Sequence, residues 1–189
     1  IILIILFLPI LYNCAAVAVG AVAAAAGTTA VVATDPRSSG AIVDDNTIET
    51  KLQYAYDSNY KGANIYVHSY NGAILLTGQI PNAKVRESAE FEAKATPGVK
   101  QIYDYMEIRL PQSIGSKTTD SYTTTQVRGK ILGISGVSSN SIKVVTTNNV
   151  VYLAGVVTKE QATQVANAAA SVNGVEKVVT LFDYISRAN

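Results

Sequence analysis

The sequence predicts an α+β fold made of two small tandem domains. Each runs helix, strand, strand, helix, strand, with a three-stranded mixed sheet covered by two helices. Three observations predict it. The segment from Ile65 to Gly78 returns as Ile142 to Gly155 at an offset of 77 residues with no gap, a period too long for a solenoid and suited to paired domains. Each copy holds a two-residue turn inside an apolar run, Asn71-Gly72 or Asn148-Asn149, a hairpin signature because these residues tolerate positive φ. Each copy then continues through a helical stretch, a Gly-Val pair (Gly98-Val99, Gly174-Val175) and a last apolar strand. The hairpin makes its strands antiparallel, and the strand–helix–strand unit sets the third strand parallel to the second through a right-handed crossover.

The elements follow in order. Ile48, Leu52 and Ala55 fall at i, i+4 and i+7 on one helical face, and the helix is expected from about Asp45 to a break at Asp57-Ser58-Asn59. Strands are expected from Ile65 to Tyr70 and from Ala73 to Thr77. Asn82 caps the next helix, with Val85, Ala89 and Ala93 on one face. Pro97-Gly98 stops it, and Val99 to Ile108 is the third strand. In the second copy Val127 and Ile131 lie one turn apart. Thr158 with Gln161 makes a capping box, Ala162, Val165, Ala166 and Ala169 form the buried stripe, Asn173-Gly174 is a C-cap, and Val178 to Ile185 closes the sheet. The expected organisation is a signal segment at 1–13, truncated at its start, an Ala/Val/Gly-rich tether at 14–43, a first domain at 44–109, a linker at 110–116 and a second domain at 117–186. The two domains are expected to fold separately.

Composition excludes several functions. The net charge is +1, so no nucleic acid is expected as partner. The charge is uneven: from Lys117 onward seven Lys/Arg stand against four Asp/Glu, before it eight against ten, so the second half is the one suited to an anionic surface. His68 is the only histidine and Cys14 the only cysteine, which leaves no disulfide, no triad pattern and no multi-histidine metal site. The acidic run Glu87, Glu90, Glu92 reads as a solvated helix face, and no phosphate-binding glycine motif occurs. No cofactor and no catalysis are expected. Tyr103 and Tyr105, two apart in a strand, share a sheet face.

The stretch richest in surface chemistry is the first helix of the second copy, with Tyr122, Val127, Arg128, Lys130, Ile131 and Leu132. Tyrosine favours the headgroup layer of a bilayer, and Arg128 and Lys130 suit lipid phosphates, each contributing about 1 kcal/mol near an anionic surface. Of Ile131 and Leu132, about 100° apart on the helix, one suits the core and the other lipid. These six residues are the candidate phospholipid-binding set. The other reading of the same residues is an amphipathic helix with a solvated basic face. The first copy's helix has Glu49 and Asp57 near Lys51 and is less cationic.

The apolar run from Ile1 to Leu11, followed by Tyr12-Asn13-Cys14, resembles a bacterial lipoprotein signal, in which the cysteine becomes an acylated N-terminus. Leu11 matches that pattern three places before the cysteine, whereas Tyr12 and Asn13 depart from it. An uncleaved membrane helix running on through the Ala/Val/Gly stretch is the alternative.

The element order, the Asn-Gly hairpin, the strand ends Leu76-Thr77-Gly78 and Leu153-Ala154-Gly155 and the Gly-Val pairs resemble the BON domain (bacterial OsmY and nodulation). With the signal, the chain resembles the dual BON-domain outer-membrane lipoproteins of Gram-negative bacteria. Ala33 to Ser38, Val43 to Asp45, Thr124 to Arg128 and Gly155 to Glu160 are similar to family segments, and the family places an aromatic at Tyr122. The resemblance implies acylation of Cys14 and a periplasm-facing protein, anchored in the outer membrane because Ala15 is not the aspartate of inner-membrane retention. It also implies binding to an anionic phospholipid membrane in support of envelope integrity. Envelope proteins or cell-wall enzymes, bound by the domains as an adaptor would, are the alternative partners.

Overall fold

The computed structural model describes residues 35–110 and 114–186. Cys14, the signal segment and most of the tether lie outside them. The elements are α1 (Ser39–Asn59), β1 (Asn64–Tyr70), β2 (Ala73–Ile80), α2 (Ala83–Ala95), β3 (Gln101–Ile108), α3 (Ile114–Leu132), β4 (Ile142–Thr147), β5 (Val150–Val157), α4 (Lys159–Ala170) and β6 (Lys177–Tyr184). Each copy forms a three-stranded sheet, β1-β2-β3 or β4-β5-β6, with an antiparallel hairpin and a parallel third strand. No described helix is long and apolar enough to cross a membrane.

Local chemistry explains the elements. Asn71, Asn148 and Asn149 all take positive φ in the hairpin turns, as the turn type demands. Asn82 caps α2, and Thr158 with Gln161 forms the full capping box of α4. Gly78 has φ +110°, and a Cβ there would stand 1.9 Å from the Asn64 carbonyl oxygen, so only glycine lets β2 pass this close to the start of β1. Both first helices begin earlier than the periodicity suggested. Ser38 accepts the Ala41 N–H and starts α1 at Ser39, inside the expected tether. Helix α3 starts at Ile114, inside the expected linker. Serine, glycine and threonine in these first turns hid the helices, because such residues favour caps and turns. The expected break at Asp57 is likewise absent, and α1 runs on to Asn59.

Each copy buries its own core. Leu52 and Tyr56 of α1 and Ala89 and Ala93 of α2 pack on Ile65, Val67, Ile74, Leu76, Ile80 and Met106. Val127 and Ile131 of α3 and Val165 and Ala169 of α4 pack on Ile142, Val144, Val151, Leu153 and Val157. The faces that the helices leave bare meet each other. In β2 the alternate residues Leu75, Thr77 and Gln79 are buried as well, so this strand is covered on both sides. Thr77 and Thr147 hydroxyls lie 3.1 Å apart, the Tyr105 and Tyr152 rings 5.0 Å apart, and the Tyr70 hydroxyl donates to the Ser141 carbonyl at 2.9 Å. Lys143 reaches across to the Glu49 carboxylate and to the Ser69 carbonyl.

Candidate membrane-binding site

An aspartate in each first helix locks that helix to its hairpin. Asp45 accepts the N–H groups of Asn71 at 2.6 Å and Gly72 at 2.8 Å, and Asp120 accepts those of Asn148 at 3.0 Å and Asn149 at 3.1 Å. Asp45 also takes the Ser69 hydroxyl and Arg37. Burial works to raise its pKa, but Gly72, Ser69, Asn71 and Arg37 outweigh this and hold the carboxyl below its ordinary value. The sequence reading did not single out either aspartate. The signal was present as an Asp ahead of each Asn-Gly or Asn-Asn turn, at a helix offset of 75 rather than the hairpin's 77.

That clamp aligns α1 with α3 residue by residue. Leu52 and Tyr56 fall opposite Val127 and Ile131, and all four are buried. Tyr122, Arg128, Lys130 and Leu132 fall opposite Thr47, Gln53, Ala55 and Asp57. The second helix therefore carries an aromatic, two cations and a leucine where the first carries none.

The structure divides the six candidate residues. Val127 and Ile131 are 0 % exposed and sit in the second core. They hold α3 in place and are corrected here from ligand contacts to core residues, because their i, i+4 spacing turns both towards the sheet. Tyr122 is 65 % and Leu132 68 % exposed, and Arg128 and Lys130 are exposed beside them. At about 100° per residue the order around the helix is Arg128, Leu132, Tyr122, Lys130, so the two cations flank the two large apolar side chains. Neither cation forms an ion pair among the described residues, whereas Arg37, Arg86, Lys94, Arg109 and Lys143 all do. Lys130 also lies in the last turn, where the helix dipole favours a cation.

The remaining candidates are structural. His68 Nδ1 lies 3.6 Å from Glu49. Burial would raise the Glu49 pKa, but His68, Lys143 and the Ser69 N–H outweigh it and bring the value to about 2. Glu92 accepts from Asn59 and from the Tyr60 hydroxyl, and Glu90 pairs with Lys94. Tyr103 lines the seam between the sheets, near Tyr152 and Leu181. Among the described residues no group of three or more His, Cys, Asp or Glu side chains is placed to hold a metal.

Fold and surface together define a tandem-domain α+β protein whose second domain exposes Tyr122 and Leu132 between two cations. The BON domain family model matches residues 44–109 and 119–185, and the chain belongs to the BON-domain family. It is 38 % identical over 178 residues to the outer membrane lipoprotein DolP of Haemophilus influenzae, covering 93 % of this chain and 90 % of that one. That kinship places the chain among the lipid-anchored outer-membrane lipoproteins. It is 37 % identical over 154 residues to a 21 kDa hemolysin of Actinobacillus pleuropneumoniae, covering 80 % and 79 % of the two chains. It is 30 % identical over 144 residues to the osmotically-inducible protein Y of Escherichia coli, covering 74 % and 72 %. Among solved structures, the C-terminal domain of CdsD, a structural protein of the type III secretion system of Chlamydia trachomatis, superposes with TM-score 0.31 and 13 % identity. That superposition covers 77 % of this chain and 98 % of that chain.

Proposed function

We propose that the chain is a non-catalytic envelope lipoprotein, acylated at Cys14, whose second domain binds anionic phospholipid through Tyr122, Leu132, Arg128 and Lys130 and so supports outer-membrane integrity. The observation that carries this reading is the contrast between α3 and its counterpart α1 at four aligned positions. Leucine burial gives about 2 kcal/mol and each cation about 1 kcal/mol near an anionic surface. Such a contact is weak by itself. An acyl anchor makes it effective, because it confines the domain to the vicinity of the bilayer. The test is co-sedimentation of the soluble part, residues 34–189, with vesicles of phosphatidylglycerol or of phosphatidylcholine. Binding to the anionic vesicles that weakens with salt supports the reading. Equal binding to both, or binding to neither at lipid concentrations of about 10 mM, where contacts of about 4 kcal/mol register, overturns it.

A further inference from the structure

The two copies treat their outer hairpin strands differently. In a hairpin closed by a two-residue turn, alternate residues point their N–H and C=O away from the partner strand. From the register these are Ile65, Val67 and Ser69 in β1 and Ile142, Val144 and Thr146 in β4. The β1 edge is plugged by α1. Gln53 accepts the Val67 N–H at 3.0 Å and donates to the Ile65 carbonyl at 2.8 Å, while Glu49 accepts the Ser69 N–H at 2.9 Å. Lys143 takes the Ser69 carbonyl. At the corresponding positions α3 carries Arg128 for Gln53 and Thr124 for Glu49. Thr124 donates to the Thr146 hydroxyl instead of accepting a backbone N–H. Among the described residues, no side chain takes up the outward N–H of Val144 or Thr146.

A cleft of about 390 Å³ runs along this edge, between β4, α3 and the Tyr66–His68 side of β1. The Tyr66 hydroxyl is buried without a hydrogen-bond partner among the described residues, and Lys117 Nζ lies 5.4 Å from the Tyr66 ring centre. Asp120, which also lines the cleft, is occupied by the hairpin turn. Lys117 therefore remains as a lining cation with no ion pair among the described residues.

We propose that the β4 edge is a docking site for an extended segment of a partner protein, added as a fourth strand to the second sheet and carrying an acidic side chain towards Lys117 and Tyr66. Donors and acceptors repeating every second residue match another extended backbone. The carboxylate would satisfy both the cation and the orphan hydroxyl. This surface borders the lipid reading's Arg128 but does not rest on that reading, and it is tested without lipid.

The test is hydrogen–deuterium exchange on the full chain in neutral detergent. The probe is an acetylated, amidated hexapeptide of alternating threonine and valine with glutamate third. In the free chain the Val144 and Thr146 amides should exchange much faster than those of Val67 and Ser69. Peptide at ten times its Kd should slow them about tenfold. An N-methylated peptide should do nothing, and a lysine in place of the glutamate should weaken the effect. The double variant Thr124→Glu/Arg128→Gln, which copies the plug of the first domain, should protect both amides and abolish peptide binding. Thr146→Pro, which removes one outward donor at an edge where proline is tolerated, should abolish binding too, with β1 protection intact in both variants as proof of folding. Equal protection of the two edges in the free chain overturns the proposal. So does binding of the N-methylated peptide, binding that survives both variants, or no effect of the peptide at millimolar concentration. A dimer seen by sedimentation and lost in Thr146→Pro would assign the edge to a second copy and overturn the partner.

Discussion

Replacing Asp45 with asparagine should be one of the most damaging single-atom changes in the first domain. Its carboxylate accepts four hydrogen bonds: Gly72 N–H and Ser69 hydroxyl on Oδ1, Asn71 N–H and Arg37 on Oδ2. An amide keeps one acceptor oxygen and turns two donors on the groups that faced the other. A charge-assisted bond contributes about 1.5–3 kcal/mol, and a buried donor left unpaired costs more, so about 3–4 kcal/mol should be lost. Asp120→Asn surrenders one of two longer bonds and should cost about half as much. With a urea dependence of about 2 kcal/mol per molar, the midpoints should fall by roughly 1.5–2 M and 1 M respectively. Urea unfolding of residues 35–189, followed by circular dichroism and tyrosine fluorescence, measures both. The Asp45 carboxyl is held below its ordinary pKa of 3.8. Its contribution is therefore complete above that value and disappears as pH falls through the lower folded-state value, where wild type and variant should converge. An Asp45→Asn midpoint within about 0.3 M of wild type, or a shift no larger than that of Asp120→Asn, would refute the clamp.

Glu49, at about 2 when folded against 4.5 unperturbed, should make stability fall as pH drops from about 4.5 towards 2, and Glu49→Gln should flatten that part of a thermal-midpoint series. Gly78→Ala should cost more than about 3 kcal/mol, since its Cβ would meet the Asn64 carbonyl at 1.9 Å. Gly129→Ala, where a Cβ meets nothing within 4 Å, should instead stabilise α3 by about 0.5–1 kcal/mol; thermal melts of the pair check both signs. Cys14→Ala should release the chain from the membrane fraction, and an unmodified thiol in the intact mass of the wild type would contradict the acyl anchor.

Much of this molecule was legible because its signals are local. The positive-φ turns at Asn71 and Asn148, the Thr158–Gln161 capping box and the stripes through Leu52, Ala89, Val127 and Val165 follow from periodicity and turn chemistry. Asp45 and Asp120 were missed because their partners lie across the fold, and helix and hairpin repeat at different offsets. The residues of the seam between the sheets were not legible for a related reason. Leu75 and Tyr152 look like ordinary apolar strand residues, and nothing in their spacing says that a second sheet covers them. Within the candidate site, residue type singled out a helix but not its faces. Only the structure separated Val127 and Ile131, which face the core, from Tyr122, Arg128, Lys130 and Leu132, which face solvent.

The central claim is that α3, rather than α1, meets anionic lipid. Its most direct test compares phosphatidylglycerol-vesicle binding of Arg128→Glu/Lys130→Glu with that of Lys51→Glu, which changes an exposed cation on α1. Losing two contributions of about 1 kcal/mol each should weaken partitioning at least about 30-fold, with the circular dichroism spectrum unchanged, whereas Lys51→Glu should leave binding close to wild type. Wild-type binding should itself fall as salt shortens the reach of exposed charges to about 8 Å. Equal losses from the two helices, or binding indifferent to the double reversal, would contradict the account.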